Sequence, residues 1–206
     1  MMCLMIALAC AFTAMAQSAE EIISRMEAEM EKHEKEGLIM VIDVKVPVLG
    51  TMTTKTYSLG NYYRIDATVM GVDAYTYSDG KTQWTYIPKK NLIEIEDENP
   101  DNPTDEGDAE MFSGITDGYD VSIEKETADA WYILCKKSKT NTDKDDPKTI
   151  NLVVAKATYY PVSLKAKVSG MTITLRDVSF GVSEEMVTFD INDYPDATIK
   201  DKRSGA

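Results

Sequence analysis

The residue types that most often perform catalysis are sparse in this 206-residue sequence. Its one histidine, His33, stands between Lys32 and Glu34 on the polar side of a helical pattern. No Gly-x-Ser-x-Gly, Gly-rich phosphate loop or paired Cys/His spacing occurs, so the templates for nucleophilic, phosphoryl-transfer and zinc chemistry do not apply. The sequence therefore favours a protein that is not an enzyme and that needs no metal and no cofactor.

Pairs of carboxylates could still act as acid and base at a glycosidic bond. Asp43, Asp66 and Asp73 fall in predicted strands, in alternation with apolar residues. Because alternate residues of a strand face opposite sides, we expect these carboxylates on solvated faces rather than in one apolar site. A hydrolase acting through strand carboxylates stays open as an alternative.

The charge balance excludes some classes of partner. The 35 acidic and 22 basic residues leave a formal charge of −13, and no run of lysine or arginine occurs. Nucleic-acid phosphates and anionic lipid surfaces both require clustered cations, so neither is an expected partner. A hydrophobic fraction of 43% is typical of a folded domain with its own core.

The first sixteen residues have the character of a targeting segment. The apolar stretch Met1–Met15 is shorter than the roughly 20 residues that a membrane-spanning helix needs. Ala14 and Ala16 form the small-x-small pattern before Gln17 that marks a cleavage site. We predict a cleaved signal peptide over residues 1–16 and one domain over residues 17–206. The alternative is acylation of Cys10, which would tether the chain to a membrane.

Removal of that segment leaves one cysteine, Cys135, so no disulfide within the chain is expected. Cys135 alternates with Trp131 and Ile133, which indicates a buried core thiol.

A helix is predicted directly after the cleavage site. Ser18 and Glu21 have the spacing of a capping box, and Gly37 marks the helix end. Apolar residues recur at spacings of three and four between these points, at Ala19, Ile22, Ile23, Met26 and Met30. The helix over Ser18–Glu36 is thus amphipathic and must cover another element.

From Leu38 the apolar period changes from 3.6 to 2, which predicts strands. One face of the first strand is expected to carry Leu38, Met40, Ile42, Val44, Val46 and Val48. Turn signals follow at Leu49-Gly50, Gly60-Asn61, Met70-Gly71, Asp79-Gly80 and Lys89-Lys90-Asn91, so six antiparallel strands are predicted. Tyr63 and Ile65 share a face of the third strand, and Trp84 and Tyr86 share a face of the fifth.

Residues 94–110 contain nine acidic residues, two prolines and no cation, which predicts a loop and no strand. A calcium site in this loop is an alternative, although the order of its acids does not match a cation loop.

Five further strands are expected after a short helix over Ala109–Ile115, which carries Met111 and Phe112. About eleven antiparallel strands and no crossover helix exclude a parallel α/β architecture. We therefore predict a mainly β fold, in which a strongly curved antiparallel sheet forms an unclosed barrel. The N-terminal helix and the short helix would cover its concave face.

Such a concave face would offer an apolar site for an acyl chain, and flexible methionines suit a cavity that is sometimes empty. An ordinary packed core is the alternative. The candidate lining residues are Ile22, Met26, Met30, Met40, Ile42, Tyr63, Ile65, Trp84, Tyr86, Met111 and Phe112.

Five short segments carry a resemblance to a known family. These are the aromatic strand Tyr62–Asp66, the run Ser78–Pro88 and, near the end of the chain, Val187–Asp190, Tyr194-Pro195 and Asp201–Arg203. In these segments the sequence resembles the LolA-like periplasmic outer-membrane lipoprotein carriers. The order of helix and strands is also similar to that family over the mature chain. One departure is Leu59-Gly60, which stands where the family has an arginine that holds a lid; Arg64 is the nearest substitute.

The resemblance implies a monomeric periplasmic carrier that shields lipoprotein acyl chains between the inner and outer membranes. Its implied partners are an inner-membrane lipoprotein-releasing transporter and an outer-membrane acceptor. A LolA-like sensor or adaptor of lipid or lipoprotein, acting by protein contact, is the alternative function.

Overall fold

The computed structural model describes residues 17–98 and 112–204, which form one sheet covered by helices. In chain order the elements are α1 (Ala19–Lys32), β1 (Leu38–Val46), β2 (Gly50–Leu59), β3 (Tyr62–Val69), β4 (Val72–Ser78), β5 (Thr82–Ile87), β6 (Leu92–Asp97), β7 (Tyr119–Glu126), β8 (Ala130–Lys137), β9 (Thr149–Ala155), β10 (Pro161–Val168), β11 (Met171–Phe180), α2 (Glu184–Val187) and β12 (Thr198–Asp201). Neither α1 nor α2 is long and apolar enough to cross a bilayer.

The sheet consists of two meanders joined side by side. Its strand order is β12-β6-β5-β4-β3-β2-β1-β11-β10-β9-β8-β7, so β1 pairs with β11 and the two outer strands do not close on each other. Strands β1–β11 are antiparallel, as predicted, and the expected mainly β, unclosed architecture is confirmed. A twelfth strand, β12, pairs with β6 in parallel.

The prediction that residue 94 begins a loop is wrong, because Glu94–Asp97 belong to β6. Two lysines, one in β12 and one just after it, neutralise acidic side chains of β6. Lys202 Nζ lies 2.9 Å from Glu94 and 2.7 Å from Glu96, and Lys200 Nζ lies 3.5 Å from Glu94. Opposite charges on neighbouring strands permit a pairing that the acidic segment alone would oppose. Residues 99–110, including most of the alternative calcium site, lie outside the described residues.

Helix α1 begins as predicted and ends earlier. Ser18 Oγ accepts from the Glu21 N–H at 3.2 Å, and the Glu21 carboxylate accepts from the Ser18 N–H, which completes the capping box. The α-helix ends at Lys32, and a 3-10 turn over Glu34–Glu36 leads to Gly37. Gly37 has a φ of 71°, and a Cβ there would lie 2.5 Å from the Ser58 carbonyl oxygen. Only glycine fits this close approach.

The register divides the sheet into a helix face, which α1 covers, and an outer face. Met40 pairs with Thr56, which pairs with Ile65, so these three side chains share the helix face. The apolar core lies here, between α1 and strands β1 and β8–β11. Its fully buried members include Ile22, Met26, Met30, Met40, Phe112, Ile133, Leu152 and Val154.

The outer face has a second, aromatic cluster beneath the C-terminal segment. The Phe189 ring stacks on Trp84 at 5.9 Å and contacts Tyr77 at 5.3 Å, while Tyr194 contacts Tyr86 at 4.2 Å, all between ring centroids. Phe189 and Tyr194 also stack on each other at 5.5 Å. Aromatic residues from two segments that are distant in sequence thus pack together. Their contacts hold the C-terminal segment, including β12, against the sheet.

Candidate functional site

Five of the candidate cavity residues form part of the close-packed core. Ile22, Met26, Met30, Met40 and Phe112 are at most 1% exposed and belong to one apolar cluster. Interiors packed in this way leave few voids larger than a water molecule. In this structure their side chains therefore fill the space beneath α1 and hold the helix on the sheet.

Three other candidates lie on the same helix face toward strands β2–β4. Ile42 is half-buried at the margin of the core cluster, and Ile65 is half-buried outside it. Tyr63 is buried at one end of the same strand as Ile65. We define the open sector as six of the half-buried helix-face residues of β1–β4: Ile42, Thr54, Ile65, Ala67, Ala74 and Thr76.

The hydroxyl groups of the open sector have partners inside the protein. Thr54 donates to the Ile42 carbonyl at 3.4 Å, and Thr76 lies 3.2 Å from the Thr85 hydroxyl. Among the described residues no buried side-chain polar atom lacks a hydrogen-bond partner. Because these hydroxyls do not require water, an apolar molecule can lie against them at little cost in lost hydrogen bonds.

One end of the open sector is polar and closely bonded. The Tyr63 hydroxyl donates to the Glu98 carboxylate at 3.1 Å, Ser78 donates to the same carboxylate, and Gln83 donates to Tyr63 at 3.3 Å. Burial, and then the negative charge of Glu98, raises the pKa of Tyr63 to about 12. Tyr63 thus stays a neutral donor at physiological pH, and this end of the sector is fixed by hydrogen bonds.

The remaining candidates do not meet the open sector. Tyr63 pairs with Ser78, and Tyr77 pairs with Trp84, so Trp84 lies on the outer face, opposite Tyr63. Tyr86 shares that outer face and contacts the C-terminal segment. Met111 lies outside the described residues. The structure therefore separates the candidate list into a packed core, an open sector and an outer aromatic cluster.

The three strand carboxylates lie on the outer face, as their alternation predicts. Asp43 accepts from Arg176 at 2.7 Å, and Asp66 accepts from Arg64 at 2.6 Å. Arg64 also lies over three tyrosine rings on that face and does not point toward the open sector. Asp73 accepts from the Thr68 hydroxyl at 2.6 Å. Each of the three carboxylates thus has a hydrogen-bond partner.

His33 and Cys135 have structural contacts. The His33 ring bonds to Glu36 and to the Tyr160 hydroxyl, both at 2.8 Å, and stacks on Phe180. Cys135 is fully buried, and this burial raises the pKa of its thiol to about 11. Residues 17–98 and 112–204 contain no group of three or more His, Cys, Asp or Glu side chains placed to hold a metal.

No family model and no curated protein sequence matches the chain. The fold is similar to solved structures. A LolA superfamily protein from Nitrosomonas europaea is 13% identical with a TM-score of 0.36, over 85% of this chain and 99% of that chain. An uncharacterized conserved protein from Thermus thermophilus is 14% identical with a TM-score of 0.47, over 89% and 99%. Lipoprotein LppX of Mycobacterium tuberculosis is 12% identical with a TM-score of 0.48, over 81% and 98%.

The hydroxyl residues of the open sector carry no motif of their own in the sequence. Thr54 and Thr76 occupy alternate positions in strands that were predicted correctly, so period-two alternation could have placed each on a face of its own strand. The missing signal was the register, since only the pairing Thr54 to Ala67 to Ala74 shows that these residues share a face. Glu98 falls within the predicted acidic loop, and composition gives no sign that it accepts a hydrogen bond from Tyr63.

Proposed function

We propose that the protein is a carrier for lipid acyl chains and that the open sector is where the chain lies. The supporting observation is a strip of helix face that is apolar yet only half-buried, beside a core that is already complete. Ile65, Ala67 and Ala74 lie outside the apolar cluster beneath α1. The strip is thus the part of the concave face with apolar surface left to bury.

Strand β3, which carries Ile65 and Ala67 of the open sector, is long enough to lie beneath an extended acyl chain. Strand β3 runs over Tyr62–Val69, and at about 3.3 Å per residue it spans roughly 25 Å. An extended chain of sixteen carbons has a similar length. A ligand aligned with β3 would begin near the polar Tyr63 end and leave the sheet near Val69, where the side chains become exposed.

The chemistry of the lining also suits release. Each buried methylene stabilises binding by about 0.8 kcal/mol, so a fully apolar groove around a long chain would hold it almost irreversibly. Threonines alternate with alanine and isoleucine in the open sector, and their methyl groups and internally bonded hydroxyls form a less apolar wall. Such a wall lowers the affinity enough for transfer to an acceptor.

We further propose the finer role that the sequence resemblance implies. The protein would work as a monomer in the periplasm, after cleavage of its signal peptide. It would receive lipoprotein acyl chains from an inner-membrane transporter, pass them to an outer-membrane acceptor, and carry out no catalytic step. The paired state of its strand carboxylates is compatible with this role.

The experiment that tests the proposal is titration of the protein with a fluorescent sixteen-carbon fatty acid in the absence of membranes. We expect Ile65→Asp to weaken binding about 100-fold, because a charge facing the chain would be buried without a partner. Ala74→Phe should fill the strip and shift the preference toward shorter chains. Ile199→Asp is the matched control, since it introduces the same change at a strand residue that is 53% exposed and away from the open sector.

Urea unfolding separates a binding defect from a folding defect. If Ile65→Asp keeps a cooperative transition and binds the fatty acid as the unmodified protein does, the chain does not lie on the open sector and the proposal is wrong. Equal losses in Ile65→Asp and in Ile199→Asp would also contradict it, because they would show a general effect of charge.

A further inference from the structure

Two hairpin tips expose large apolar side chains completely. Val48 and Leu49, in the turn between β1 and β2, are 104% and 85% exposed, and Met70, in the turn between β3 and β4, is 99% exposed. Single exposed apolar residues are ordinary on protein surfaces. Three such residues on two hairpins of the same sheet form a feature of their own, which we call the hairpin end.

The backbone of these turns does not favour the residues found there. Val48 has a φ of 72° and Met70 a φ of 52°, in the left-handed region that glycine and asparagine adopt readily. A β-branched valine is especially unsuited to it. Asparagine at either position would relieve strain and suit the solvent, so neither turn geometry nor exposure to water accounts for these apolar side chains.

The pairing places both tips at one end of the sheet. Val46 pairs with Gly50 across the first hairpin, and Val69 pairs with Val72 across the second. The two hairpins are neighbours in the sheet, because β2 pairs with β3. The turn between β10 and β11 lies at the same end, because Lys45 pairs with Thr172. Beyond the open sector, the helix face of β3 becomes more exposed toward this end, where Val69 is 47% exposed.

The composition of the tips indicates what they contact. No charged residue occurs from Val46 to Thr54 or from Ala67 to Val72, although the whole chain carries a charge of −13. A groove of about 920 Å³ reaches from Leu49 and Met70 onto the outer face, where Lys55, Asp66 and Asp73 also line it. Apolar side chains on two separate turns suit a fluid lipid surface, which adapts to them, and the acidic chain suits lipids without net charge.

We propose that the hairpin end docks on a zwitterionic lipid bilayer, with Val48, Leu49 and Met70 inserted among the headgroups and upper acyl chains. This surface is separate from the open sector and does not depend on an acyl chain being bound there. Docking would place the exposed end of the open sector against the bilayer.

The test is sedimentation of the full chain with phosphatidylcholine vesicles. We expect the triple variant Val48→Asn, Leu49→Asn, Met70→Asn to partition about 100-fold less than the unmodified protein, because three apolar side chains no longer leave water. Asparagine tolerates the left-handed turns, so the variant should fold with equal or greater stability in urea. The control is Met186→Asn, which changes a residue that is 40% exposed on α2 and should leave partitioning unchanged.

Several outcomes would overturn the inference. One is no sedimentation of the unmodified protein with phosphatidylcholine vesicles. Another is binding that requires anionic lipid or disappears in about 0.5 M salt, where charge interactions are strongly screened. A third is equal partitioning of the triple variant and Met186→Asn. If the tips instead join two copies of the chain, analytical ultracentrifugation would show a dimer that the triple variant lacks, and this result would also reject the lipid surface.

Discussion

Replacement of Met26 by alanine distinguishes a packed core from a ligand cavity beneath α1. Met26 is fully buried in the cluster between α1 and the sheet. Truncation of a close-packed methionine to alanine costs about 2–5 kcal/mol, since both the transfer free energy and the packing contacts are lost. With a urea m-value of about 2–3 kcal/mol/M, a loss of about 3 kcal/mol lowers the unfolding midpoint by roughly 1 M.

The assay is equilibrium unfolding in urea followed by far-UV circular dichroism, together with the fatty-acid titration. Met186→Ala is the control, because Met186 is 40% exposed and its truncation should change the free energy of unfolding by less than about 0.5 kcal/mol. Fatty-acid affinity should stay unchanged in Met26→Ala below the transition. A Met26→Ala protein that unfolds at the same urea concentration as the unmodified protein but binds fatty acid much more weakly would show a ligand cavity, and not a packed core, beneath α1.

Three further predictions concern other parts of the chain. Gly37→Ala should lower the free energy of unfolding by about 3 kcal/mol, since its Cβ would lie 2.5 Å from the Ser58 oxygen at a φ of 71°. Urea unfolding measures this loss, and an unchanged unfolding midpoint would disprove the close approach. Hydrogen bonds from Arg176 and Thr53 hold the pKa of the Asp43 carboxyl below its usual value. The free energy of unfolding that these bonds contribute is therefore fully present above the usual pKa and is lost as the pH falls through the lowered pKa. The stability difference between Arg176→Met and the unmodified protein should therefore disappear in acid, and an NMR titration should show a higher Asp43 pKa in the variant. Burial raises the pKa of the Cys135 thiol to about 11. A thiol reagent at about pH 8, near the pKa of a free thiol, should therefore react with Cys135 only as fast as the protein unfolds. Rapid reaction of the native protein would mean that the thiol is accessible.

Local patterns were sufficient to predict most elements. The capping box placed the start of α1, and turn signals separated the antiparallel strands, because both depend on residues that are close in sequence. The first strand ends at Val46 rather than continuing to Val48, since the chain turns at Pro47. Strand β12 has no local signal: its four residues are all exposed, and Lys200 in the strand and Lys202 just after it pair with Glu94 and Glu96 of β6, which are far away in sequence.

The candidate site was harder to predict than the fold, because alternation relates residues within one strand and not between strands. Tyr63 and Trp84 were each assigned correctly to an apolar side of their strand. The turn after Ser78 sets the register of β5, and that register puts Trp84 on the opposite side of the sheet from Tyr63. Apolar character alone did not show that the sheet has two covered faces, one beneath α1 and one beneath Phe189.

The join between β1 and β11 has a consequence for synthesis of the chain. Asp43 and its partner Arg176 are 133 positions apart, so the ribosome must add most of the protein before β1 acquires its second neighbour. At about 5–20 residues per second this delay lasts roughly 7–27 s. Throughout that interval an aliphatic strand presents an unpaired edge, and Asp43 and Lys45 are the charges on it that discourage association with other nascent chains.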